Sequence, residues 1–127
     1  MYLLLGCGDV GYALAEKFSE DDKEIQIIEK NPQKVDQLTE LGYEVTEGNF
    51  TDVDILQEAG IEKAEVVLIT VSDTEVTERA LGAINQAKLD LGVSPIVIAR
   101  AKDSIEVPGL KNHGAAEIVT SSEVLAE

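Results

Sequence analysis

Short apolar runs alternate with longer stretches of mixed polarity along the whole chain. Residues 2–5, Tyr-Leu-Leu-Leu, read as a first buried strand. Residues 9–19 follow with Val10, Ala13, Leu14 and Phe18 at helical spacing on one face. A second strand spans 24–29. Asn31 and Pro32 then supply an N-cap and a first-turn proline. The second helix turns Val35, Leu38 and Leu41 inward and stops at Gly42. A third strand spans 43–46. A short helix after Thr51 buries Leu56 and Ala59 and stops at Gly60. The fourth strand spans 65–71, and Ser72 with Glu75 forms a capping box for a long helix ending near Gly92. Its inward face carries Val76, Ala80, Ala83, Ile84, Ala87 and Leu91, while Leu81 and Leu89 lie off that stripe. The fifth strand is 95–99 and the sixth 117–119. Between them 103–113 is weakly helical, because Pro108-Gly109 interrupts it.

This alternation predicts one α/β domain over 1–127. Its expected architecture is a Rossmann-like, doubly wound parallel sheet of about six strands with helices on both faces. Thr120 and Glu123 look like a further capping box, and the chain stops barely a turn later. The expectation is a fragment of a longer protein, or a last turn that docks on a partner.

Charge narrows the choice of partner. The chain has 25 acidic and 10 basic residues, a net charge of −15. Nucleic acid is excluded, because phosphate backbones require stripes of Lys and Arg. No apolar run approaches the roughly 18 residues of a membrane span, so direct membrane insertion is not expected. The single cysteine, Cys7, rules out an internal disulfide and fits a reducing, cytoplasmic location. An anionic ligand gains little from such a global field, so local donors must hold it.

Those donors are visible directly behind the first strand. Gly6-Cys7-Gly8-Asp9-Val10-Gly11 fits a dinucleotide-binding loop. Gly6 permits the tight turn, Gly8 lets the backbone approach a pyrophosphate, and Gly11 lets the helix pack against the strand. The first amides of that helix point at the phosphates. Glu29 ends the second strand, close to the distance at which an acidic residue accepts from ribose hydroxyls. A 2′-phosphate would be repelled there.

With these residues in place the chain resembles the TrkA-type nucleotide-binding domain, the RCK or KTN domain of potassium transport regulators. The likeness extends through Gly48-Asn49-Phe50, residues 56–61 (Leu-Gln-Glu-Ala-Gly-Ile), residues 67–70 with Ser72-Asp73, and Gly114-Ala115. It implies that residues 6–11 hold the phosphates and that Glu29, with Lys30 beside it, holds the adenosine ribose. Asn49 and Phe50 would border the adenine. Thr70, Val71 and Ser72 would lie beside the pyrophosphate or second ribose, and Arg100 at the ligand mouth. The implied cofactor is NAD or NADH, with AMP, ADP or ATP as alternatives. The implied role is control of potassium uptake or channel gating, as a homodimer or higher oligomer serving a membrane transporter or channel subunit. A second set of relatives fuses this domain to a DHH-type phosphoesterase, which makes a regulatory half of such an enzyme the alternative. Two positions depart from the family pattern: Asn49 replaces a usual Asp, and Thr77 a usual Asn. Asp9 would repel a γ-phosphate and so disfavours ATP.

A catalytic role is not expected. Hydride transfer needs a substrate site and an acid or base. The one histidine, His113, precedes the sixth strand, away from the ligand edge. Tyr12 lacks a lysine at short-chain-dehydrogenase spacing, and no Cys/His cluster suggests a metal. A free-standing NAD-dependent oxidoreductase ranks third.

Overall fold

The computed structural model describes residues 1–71, 73–101 and 117–120. The ligand contact expected of Ser72 and the expectations for 103–113 with His113, for Gly114-Ala115 and for the terminal capping box lie outside these residues. Six strands form one parallel sheet: β1 (Tyr2–Leu5), β2 (Ile25–Glu29), β3 (Glu44–Glu47), β4 (Val66–Ile69), β5 (Ile96–Ala101) and β6 (Glu117–Thr120). Their order is β3-β2-β1-β4-β5-β6, the doubly wound arrangement whose direction reverses between β1 and β4. The connecting helices are α1 (Asp9–Glu20), α2 (Pro32–Glu40), α3 (Val53–Glu58) and α4 (Thr74–Leu91), with a 3-10 turn at Ile61–Lys63.

The unbroken apolar runs of the central strands reflect burial on both faces. Leu3, Leu5, Val67 and Ile69 pack into one core with Leu56, Leu81 and Ile84 of α3 and α4. Leu4, Ile27 and Leu68 point the other way, onto Ala15 of α1 and Leu38 of α2. Tyr2 and Phe18 meet edge to face, 4.9 Å between ring centroids, at the margin of that second core. Asn31 caps α2 as expected, its side chain accepting from the Gln33 amide.

Four details of the sequence reading change. Ala13 is exposed, and Ala15 takes its place on the buried face of α1. Leu41 is 59% exposed, because α2 ends before it and the chain turns out at Gly42. Leu81 is buried, which widens the packed face of α4, whereas Leu89 stays 80% exposed. The cap of α4 is Asp73 rather than Ser72. Its carboxylate accepts from the Val76 amide at 3.2 Å, which starts the helix one residue later.

Candidate functional site

The C-terminal ends of β1, β2, β4 and β5 converge on a crevice of about 450 Å³. It opens at the point where the strand order reverses, the place at which doubly wound sheets take ligands. Gly6, Cys7, Gly8, Asp9 and Val10 form its floor on the β1 side. Glu29 and Lys30 flank them from β2, Asn49 and Phe50 from the loop after β3. Thr70, Val71 and Arg100 close the far side.

The three loop glycines have separate physical reasons. Gly6 has φ +83°, and a Cβ there would lie 2.9 Å from Val71 Cγ1. A Cβ on Gly11 would meet Thr70 Oγ1 at 2.9 Å and the Gly6 carbonyl at 3.0 Å, so α1 could not pack as closely. Gly11 therefore supports the crevice from behind and is not part of its lining. Gly8 has ordinary extended backbone, and nothing lies within 4 Å of where its Cβ would be. The fold does not need a glycine there. A Cβ would instead project into the space a ligand would use. Gly8 also has no side chain to cap α1, which leaves the first-turn amides for an anion.

Glu29 is the buried charge of the site, only 7% exposed. One carboxylate oxygen accepts from the Cys7 amide at 3.2 Å, the other from the Asn31 amide at 2.8 Å. These bonds join the glycine loop to the start of α2 and fix the carboxylate's orientation. Each oxygen can accept more than one hydrogen bond, so capacity for a ribose diol remains. Beside it the Cys7 thiol is pushed up to about 11, first by burial and then by the Glu29 charge, with Lys34 opposing. At neutral pH it is a packed thiol rather than a reactive thiolate.

On the far side a chain of hydrogen bonds links three strand ends. The Thr70 hydroxyl donates to the Gly6 carbonyl at 3.3 Å, and Arg100 Nη1 donates to the Thr70 carbonyl at 3.1 Å. Asn49 is held by Thr51, whose amide and hydroxyl both donate to its side-chain oxygen at 2.9 and 2.7 Å. Thr77, the second departure, is buried and donates to the Asp73 carbonyl at 3.0 Å. It stabilises the start of α4 and does not line the crevice.

Five lining residues escaped the sequence reading: Lys34, Thr51, Asp73, Val76 and Arg79. Lys34 and Arg79 lie on helical turns that were read only for apolar spacing. Their signal was available in composition, since the chain has just two arginines, Arg79 and Arg100, and both line this crevice. Among the described residues no group of three His, Cys, Asp or Glu could hold a metal ion. No described helix is long and apolar enough to cross a membrane.

Residues 2–121 match the family model of the TrkA-N domain. The putative cation/proton antiporter YbaL of Escherichia coli strain K12 is 29% identical over 124 residues. That match covers 98% of this chain and 22% of the antiporter, so the chain spans under a quarter of that relative. The crystal structure of the TrkA-N domain of inner membrane protein ybaL has a TM-score of 0.85, at 29% identity, over 98% of this chain and 90% of that one. The NAD(P)-binding domain of an exopolyphosphatase-related protein from Archaeoglobus fulgidus shares the fold. Its TM-score is 0.87, at 21% identity, over 98% of this chain and 90% of that one. The GsuK channel bound to NAD also shares it, with a TM-score of 0.82, 18% identity, and coverage of 93% of this chain and 21% of the channel chain.

Proposed function

This chain belongs to the TrkA-N domain family, and from that membership we propose that it is a regulatory nucleotide-binding domain whose preferred ligand is NAD or NADH. One observation carries the choice of an adenosine nucleotide without a 2′-phosphate. The Glu29 carboxylate is fixed by the Cys7 and Asn31 amides beside the open space in front of Gly8. An adenosine ribose bonded there directs its phosphates over the glycine loop. The NAD held by the GsuK channel supports the same ligand class. YbaL, as a putative cation/proton antiporter, supports a role in cation transport, with potassium uptake or channel gating as the specific form. The domain then acts on the cytoplasmic side of a membrane partner. It signals by binding two arrangements of a homodimer unequally. The role we propose is binding rather than turnover, since the described residues that line the crevice include no histidine and no tyrosine to serve as acid or base.

Calorimetry with NAD, NADH, NADP, ADP and ATP tests the ligand. NAD or NADH should bind at least about tenfold more tightly than NADP, because the 2′-phosphate meets the Glu29 charge. Equal affinity for NAD and NADP overturns the role given to Glu29. Steady loss of NADH absorbance with simple carbonyl substrates overturns the non-catalytic reading. Sedimentation across a wide concentration range at moderate salt tests the dimer, with screening needed to offset −15 per chain.

A further inference from the structure

The crevice reverses the charge balance of the chain. Bases are outnumbered 25 to 10 overall, yet Lys30, Lys34, Arg79 and Arg100 face only Asp9, Glu29 and Asp73 at its walls. The four bases also divide by position. The two lysines flank Glu29 on the β2 side. The two arginines stand across the glycine loop, on the α4 and β5 side.

The arginines are held very differently. Arg100 donates to the Thr70 carbonyl and so belongs to the rigid rim. Arg79, in the second turn of α4, pairs with Glu75 at 3.9 Å, at the limit of an ion pair. Both of those side chains lie mostly in water, 70% and 84% exposed. Exposed i,i+4 pairs of this kind contribute little, so leaving Glu75 costs Arg79 almost nothing. A guanidinium that can leave a weak partner on the rim of an anion site can turn inward onto a phosphate with charge-assisted, bidentate geometry.

We propose that Arg79 is a specificity-determining residue that closes onto the distal phosphate of the bound nucleotide, so that affinity depends on how far the ligand's charge extends beyond the first phosphate. This rests on the reading of the crevice as a nucleotide site. With an adenosine on Glu29 and its first phosphate over Gly8, a second phosphate, of ADP or of the pyrophosphate in NAD, would enter the part of the crevice lined by Asp73, Val76 and Arg79 of α4. The ligand class is therefore an adenine nucleotide carrying at least two phosphates.

The test is calorimetry with ADP, NAD and adenosine on wild type, Arg79→Gln and Arg79→Lys, with melting curves recorded on each sample. Arg79→Gln should weaken ADP and NAD about tenfold, leave adenosine unchanged, and leave the melting temperature of this exposed position unmoved. Arg79→Lys should retain part of the lost affinity, because it keeps the charge and loses the fork. Unchanged ADP and NAD affinity in Arg79→Gln overturns the proposal and leaves the nucleotide site standing. An equal loss for adenosine overturns it too, by showing that Arg79 acts on the fold. Wild type that binds none of the three overturns the proposal together with the nucleotide reading beneath it.

Discussion

The sheet has a cavity at each end, and the two have nearly the same volume. The crevice at the C-terminal ends encloses about 450 Å³, and the hollow at the N-terminal ends about 470 Å³. Their walls differ in kind. The N-terminal hollow is lined by Glu24, Glu44, Glu58 and Glu62, with Lys63 as its basic side chain. The crevice has four bases, backbone amides at a helix start, and a glycine whose missing Cβ leaves room. Space alone therefore does not locate a binding site in this fold. Parallel strands all point their carboxyl ends the same way, so the helices that follow them present amide-bearing N-termini at that end only.

The sharpest way to break this comparison is Gly8→Val. It should weaken NAD about a hundredfold or more while the circular dichroism spectrum stays native, because the added Cβ has no protein atom within 4 Å and the side chain fills ligand space. Gly11→Ala serves as the contrast. Its Cβ collides with the Thr70 hydroxyl and the Gly6 carbonyl, so it should cost about 1–3 kcal/mol of stability. Native-like ligand stabilisation in Gly8→Val would remove the phosphate-loop assignment.

The Cys7 thiol gives the next effect. With its pKa raised from 9.0 to about 11, alkylation near neutral pH should run about a hundredfold slower than for a free cysteine. The sign of the linked stability change follows. The folded state favours the neutral thiol, so this contribution is complete below pH 9 and is lost as pH rises toward 11. Tyr12 and Tyr43 are also raised, so the comparison is wild type against Cys7→Ser across that window. Identical alkaline melting curves would contradict a buried thiol.

Glu29→Ala should lower NAD affinity about tenfold and destabilise the fold by about 1–3 kcal/mol, because the Cys7 and Asn31 amides lose their acceptor. The smallest effects separate the two cavities directly. Lys34→Gln should weaken NAD about threefold, whereas Glu58→Gln at the opposite edge should leave it unchanged at physiological salt. A loss in Glu58→Gln equal to that in Lys34→Gln would show that the global field, and not the crevice, governs affinity.

Most of the fold was legible because the central strands are buried on both faces and leave unbroken apolar runs between amphipathic helices. Glu29 and the glycine loop were legible because they depend on local spacing. What stayed hidden depends on three-dimensional convergence. Nothing in the sequence says that the Cys7 and Asn31 amides both reach Glu29, or that Arg79 faces the same space as Arg100. Leu41 was misread because apolar spacing continues past the last turn of α2, where the backbone has already turned away. The α4 cap falls one residue past the one expected from the sequence because Ser and Asp are both good N-caps, and adjacent candidates are not separable by residue type.

The Arg100–Thr70–Gly6 hydrogen-bond chain has a kinetic consequence. It joins the ends of β5, β4 and β1 into one frame through bonds within the chain itself. Ordering of that frame is completed when the chain folds, so a ligand need not wait for loops to assemble. Capture should therefore be a single fast phase whose rate rises linearly with ligand concentration, set by diffusion and orientation. The time a nucleotide remains bound is then set by how quickly the contacts across the frame let go.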